Sequence, residues 1–110
     1  MLMLEASSDF QRLARSGKKW ATPAFIMQAL KAENGGEFRL GLTASRKVGN
    51  AVVRNRAKRR LREMVREFLV HKSLHGFEIV LIARQAAVNY NFSRMKEDFS
   101  ASLVKLGALS

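Results

Sequence analysis

Cysteine is missing from these 110 residues, which excludes disulfides, thiolate catalysis and cysteine-rich zinc sites. Its absence fits a reducing compartment. No apolar run approaches the ~20 residues of a membrane-spanning helix. The opening Met1–Glu5 meets Glu5 and Asp9 at once and is too short for the apolar region of a signal peptide. A cytoplasmic protein with no membrane partner is expected. Acids are also scarce: nine Asp and Glu stand against twenty Lys and Arg, a formal net charge of +11. That excess is larger than solubility requires and calls for a polyanionic partner. Proline occurs once and glycine seven times, while 47% of the residues are hydrophobic. This is too apolar for a disordered basic tail and sufficient for one compact core. With no internal repeat, linker or low-complexity segment, residues 1–110 read as a single domain that displays its charge on a folded surface.

The local patterns give an element order. Ser7 or Ser8 is placed to cap a first helix carrying Phe10, Leu13 and Ala14 on one face, with Gly17 ending it. Trp20 to Leu30 turns aromatic and β-branched around Pro23, so Ala24–Lys31 reads as a strand after a brief edge segment. Asn34-Gly35-Gly36 signals a turn, and Phe38–Thr43 is expected to form a hairpin with the strand before it. A basic loop, Ser45–Asn50, leads into a long helix over Ala51–Val70. Phe77–Ala83 is nearly continuous apolar sequence and reads as a central strand buried on both faces. Asn89 or Asn91 caps a last helix with Phe92, Met95, Phe99, Leu103 and Leu106 at helical spacing. The fold class is α+β, with helices on a mainly antiparallel sheet.

The charge is concentrated. Residues 46–66 hold nine cations against Glu63 alone, which is +8 of the net +11. On the long helix, Ala57, Leu61, Met64, Val65 and Phe68 fall within roughly 100° of arc, the width of a core-facing stripe. Asn55, Lys58, Arg59, Arg62 and Arg66 occupy the adjoining arc, while Arg56, Arg60, Glu63 and Glu67 lie toward the opposite flank. Like charges at i,i+4, such as Lys58/Arg62, oppose helix formation by a few tenths of a kcal/mol each. Phosphates would neutralise them, and guanidinium forks suit both phosphate oxygens and base edges. The bland alternative is a solvated basic face. Arg54 lies in line with the apolar stripe and either lines a groove beside the sheet or stacks over a core edge.

Aromatic side chains are candidates for base stacking. Phe68, Phe92 and Phe99 sit on core stripes; Phe10, Trp20, Phe25 and Phe38 lie where one face could stay open. Enzyme signatures are absent. His71 and His75 have zinc-compatible spacing but no accompanying ligand cluster, and no nucleophile with a base or paired carboxylates can be assembled.

The stretch from Arg39 through Arg62, with Arg54-Asn55-Arg56 followed by Lys58-Arg59 and Arg62, resembles the signature region of the bacterial ribonuclease P protein, subunit of the ribonucleoprotein that removes 5′ leaders from precursor tRNAs. Asp9-Phe10 with Gly17 resembles the family's first helix, and Ile79–Arg84 its last strand. The resemblance implies a compact α-β-β-β-α-β-α domain with a left-handed crossover. It implies that Arg46, Lys47, Asn50, Arg54, Asn55, Arg56, Lys58, Arg59 and Arg62 face the ribonuclease P RNA. A groove reached by Phe10, Phe25 and Arg54 would take the 5′ leader of precursor tRNA. The RNA and its bound Mg²⁺ would perform the endonucleolytic hydrolysis; the protein would assist, hold no cofactor tightly and require no protein partner. Ala14, Gln28 and Ala57 depart from the larger side chains common in the family, which implies fewer stacked bases in the groove. The competing readings are a ribosomal or general RNA-binding module, a DNA-binding protein using Arg54–Arg66 in a major groove, and an autonomous nuclease.

Overall fold

The computed structural model describes residues 1–33 and 35–109. Along the chain run β1 (Leu2–Met3), α1 (Ser7–Ser16), β2 (Lys18–Ala21), β3 (Phe25–Lys31), β4 (Arg39–Ala44), α2 (Ala51–His71), β5 (Phe77–Ala83), a 3-10 turn (Gln85–Val88) and α3 (Phe92–Lys105). This is the expected order with a two-residue strand ahead of it. The Asn34 position of the expected turn lies outside the described residues, while Gly35 and Gly36 adopt φ of 67° and 98°.

The five strands form one sheet in the order β1-β4-β5-β3-β2. Pairing is antiparallel for β2 with β3 and for β3 with β5, and parallel for β1 with β4 and for β4 with β5. The hairpin expected between β3 and β4 does not form, because β5 lies between them. β5 is nearly continuous apolar sequence, and Glu78–Leu81 and Ala83 are buried in it. Placing it between two neighbours satisfies its backbone on both edges as well as covering both faces. α2 supplies the long crossover that lets β5 run parallel to β4.

The two faces of the sheet carry separate cores. On one, Phe25, Met27, Leu40, Ile79 and Leu81 pack under Ala57, Leu61, Met64 and Val65 of α2 and Met95, Phe99 and Leu103 of α3. Phe99 meets Phe25 and Phe68 edge-to-face, with ring centroids 6.3 and 5.3 Å apart. On the other face, Leu4, Leu13 and Val80 form a smaller cluster joined by Phe10, Leu30 and Ile82, so α1 covers the strands from the side away from α2. The N-cap of α1 is Ala6, which offers no side-chain hydrogen bond, in place of the expected Ser7 or Ser8 cap. Asn91 does cap α3, its side-chain oxygen accepting from the Arg94 N–H at 3.0 Å.

Candidate nucleic-acid interface

Loop 45–50 is built from consecutive turns. The Val48 N–H donates to the Ser45 carbonyl at 3.1 Å, the Gly49 N–H donates to the Arg46 carbonyl at 3.2 Å, and the Ser45 hydroxyl accepts from the Lys47 N–H. Val48 is buried and pins the loop to the core, so Arg46 and Lys47 are held out in solvent. Gly49 has φ +149°, and a Cβ there would fall 2.7 Å from Val53 Cγ1. Only glycine lets the chain turn this closely into α2. The Asn50 side-chain oxygen accepts from the Val53 N–H at 3.0 Å and caps the helix. That oxygen is committed to the cap, which leaves the Asn50 amide nitrogen for any contact with a partner.

Around α2 the side chains divide into three flanks. One is the core stripe. A second faces the 3-10 turn and α3: the Arg56 Nε donates to the Val88 carbonyl at 3.2 Å, and Arg60 donates to the Ala87 and Tyr90 carbonyls at 2.6 Å each. The Arg60 guanidinium lies 5.8 Å from the Phe92 ring centroid, and Glu67 pairs with Lys96 at 3.4 Å. Burial pushes the Arg60 pKa below its ordinary value, with the Arg56 charge adding to the shift and Glu63 opposing it. Arg56, expected among the RNA-facing residues, is thus tied to the protein's own backbone on the Arg60 side. The third flank carries Asn55, Lys58, Arg59, Arg62 and Arg66, with Arg54 at its border with the core. Among the described residues no ion pair engages any of its cations, nor Arg46 or Lys47. The first turn of α2 contains no acid, so Arg54 also sits where the helix dipole disfavours a positive charge. An anion bound at this flank would relieve both repulsions.

On the α1 side of the sheet, the strand register aligns Thr43, Ile82 and Ile26 in one row across β4, β5 and β3. All three are half-buried, and α1 leaves this end of the face open. Phe10 of α1 borders the row; its ring lies over Gly41, where a Cβ would meet Phe10 Cε1 at 2.8 Å. β4 runs from Thr43 directly into loop 45–50, so the row adjoins the base of the cationic flank.

The sequence profile described as Ribonuclease P matches residues 2–107. A relative described as "Ribonuclease P protein component" from Paramagnetospirillum magneticum is 39% identical over 110 residues, covering 96% of this chain and 83% of the relative. The chain belongs to the ribonuclease P protein family. Its fold matches the Staphylococcus aureus ribonuclease P protein with a TM-score of 0.79 at 29% identity, covering 96% of this chain and 97% of that one. It matches the Thermotoga maritima protein with a TM-score of 0.77 at 28% identity, over 96% and 97% of the two chains.

One residue expected in the groove of a ribonuclease P protein is misplaced. Phe25 is fully buried in the α2–α3 core against Phe99 and presents no ring face to a ligand. Strand alternation puts Ile26, not Phe25, on the Phe10 side, and the row of Ile26, Thr43 and Ile82 follows only from the strand order and register, which no local signal in the sequence gives. Phe38 is also buried. Of the three departures, Ala57 fills a fully buried core position, Gln28 is buried in β3, and Ala14 is exposed on α1. Among the described residues there is no group of three or more His, Cys, Asp and Glu that could hold a metal ion, so no Mg²⁺ site is assigned to this chain. No helix among them is long and apolar enough to cross a membrane.

Proposed function

We propose that this chain acts as the protein subunit of a ribonuclease P ribonucleoprotein, binding the catalytic RNA and the 5′ leader of precursor tRNA. The observation that carries the reading is the third flank of α2, where Arg54, Lys58, Arg59, Arg62 and Arg66 stand with Arg46 and Lys47 and, among the described residues, without acidic partners. Such an array gains by releasing counterions from RNA phosphates, and about six contacts would lower affinity by about three or more decades between low and moderately high salt. Arg56 contributes at the edge of this surface, and Asn55 and the Asn50 amide supply neutral donors.

The row of Ile26, Thr43 and Ile82 beside Phe10 takes the single-stranded leader, apolar side chains receiving bases while Arg54 on the adjoining cationic flank holds a phosphate. Phosphodiester hydrolysis is left to the RNA and its Mg²⁺. The chain's own residues bind, orient and neutralise, in a cytoplasmic particle.

The test is cleavage of a leader-bearing precursor tRNA by a bacterial ribonuclease P RNA at low Mg²⁺, with and without the protein. Saturable stimulation at the 5′ site, reduced by Arg54→Ala, is expected; the protein without RNA should cleave nothing. A folded protein that stimulates none of several ribonuclease P RNAs would mark it as a different RNA-binding module.

A further inference from the structure

The cations outside α2 do not scatter evenly. Lys18, Lys19 and Trp20 are consecutive and exposed on β2, which forms an edge of the sheet and hydrogen-bonds only to β3. Lys105, at the end of α3, places its Nζ 5.4 Å from the Trp20 ring centroid. Next to them a recess of about 350 Å³ is lined by Lys18, Lys31, Ala29, Leu30, Phe77 and Leu106, and among the described residues no acidic side chain borders it. Among the described residues no ion pair engages Arg15, Lys18, Lys19, Lys31 or Lys105.

We infer that this β2 edge is a second RNA-contact surface, which takes a short single-stranded segment by stacking a base at Trp20 and holding the flanking phosphates on Lys18 and Lys105. Lysines on an edge strand would by themselves be explained as protection against strand-to-strand aggregation. An indole 41% exposed among them is not, because it adds apolar surface where a protective edge removes it. Strand alternation puts Lys18 and Trp20 on the same side, with Lys105 above the ring, so the cations bracket a flat apolar surface. That is the arrangement a nucleotide chain offers in reverse, a π-face between two anions. The recess beside it, with apolar walls and lysines at its rim, has the same complementarity. The surface lies at the opposite edge of the sheet from β1 and β4, in a molecule 37 × 30 × 20 Å. A chain with cationic surfaces on two sides can hold two RNA segments at once. The inference rests on RNA being the partner proposed above.

Trp20 is the only tryptophan, so its fluorescence reports this edge and nothing else. The full chain is titrated with a uridine dodecamer at several salt concentrations. Saturable quenching is expected, and Lys18→Ala with Lys105→Ala should reduce the log–log salt slope by about 1.4, two phosphates at ~0.7 each. Arg54→Ala with Arg59→Ala should leave the quenching midpoint within about twofold, as expected for a separate site. Absence of quenching, its loss in the α2 variant, or quenching by phosphatidylglycerol vesicles but not RNA would overturn the inference; circular dichroism verifies that each variant is folded. Precursor cleavage is assayed on the same samples. Stimulation without quenching removes the second surface alone, and quenching without stimulation supports this surface while removing the holoenzyme reading.

Discussion

Arg12 on α1 closes a forked ion pair with Glu78 on β5, Nη1 lying 2.7 Å from Oε1 and Nη2 2.9 Å from Oε2. Arg39 on β4 adds a third bond to Glu78 Oε2 at 3.0 Å, and Asp9 accepts from Arg12 at 3.0 Å. The Glu78 side chain is only 5% exposed, so this network, not α1's small apolar cluster alone, ties the helix to the sheet.

Removing Arg12 leaves a buried carboxylate with one partner fewer. Arg12→Ala should destabilise the fold by roughly 1–3 kcal/mol, below the range for fully buried pairs because the guanidinium is 37% exposed. Its hydrogen bonds to Glu78 and then Asp9 raise the Arg12 pKa above its ordinary value. A raised pKa means stability that is complete below the unfolded value and lost only as pH climbs through the folded one. The loss on Arg12→Ala, measured by urea denaturation, should therefore vary little between about pH 6 and 9 on account of Arg12. An unchanged midpoint in the variant would show the network to be a surface ornament.

Gly41 tests the packing of Phe10. A methyl at position 41 would meet the ring at 2.8 Å and Val80 Cγ2 at 3.1 Å, so Gly41→Ala should lower stability by about 1–3 kcal/mol through overpacking. It should also lift the ring that borders the proposed leader path. Binding of precursor tRNA to the holoenzyme should weaken while binding of mature tRNA changes little; equal loss for both would place Phe10 outside leader recognition.

How far the chain could be read without its structure depended on the range of the interaction. Helix periodicity is local, and the stripe of Ala57, Leu61, Met64 and Val65 was legible because packing and period coincide. The bounds of β5 were legible for the same reason. Strand order was not, since nothing within Phe25–Lys31 or Arg39–Ala44 says that a strand about forty residues later will enter between them. The burial of Phe25 and the half-open position of Ile26 were hidden by that same step, because which face of a strand is covered is set by the elements packed on it. Partners also escaped notice: Arg12 and Glu78 are 66 residues apart. The basic run and its division between two flanks stood out in the sequence, whereas the backbone carbonyls that hold Arg56 and Arg60 came into view only with the 3-10 turn in place.

Asn50 separates capping from RNA contact. Asn50→Asp keeps an oxygen for the Val53 N–H and suits the helix dipole, so thermal stability should hold or rise. The new negative charge beside Arg46 and Lys47 should nevertheless weaken binding to ribonuclease P RNA. Asn50→Ala should do the reverse, losing about 1 kcal/mol of stability with a smaller effect on affinity. Paired melting and filter-binding measurements decide it, and equal affinity losses in both variants would assign Asn50 to RNA recognition.

Arg59 and Arg60 are neighbours in sequence with opposite surroundings. Arg59 is exposed on the flank without acidic partners, so Arg59→Ala should leave the melting temperature nearly unchanged while lowering the salt dependence of RNA binding by about one ion. Arg60 donates to two carbonyls at 2.6 Å and lies against Phe92. Arg60→Ala leaves the Ala87 and Tyr90 carbonyls without that donor, and should cost about 1–3 kcal/mol of stability with little change in salt dependence. Arg60→Lys should recover only part, because one ammonium cannot span both carbonyls as a planar fork does. Denaturation and salt titration of the three variants separate the roles. A lower melting temperature for Arg59→Ala, or a reduced salt slope for Arg60→Ala at full stability, would contradict the assignment of flanks on α2.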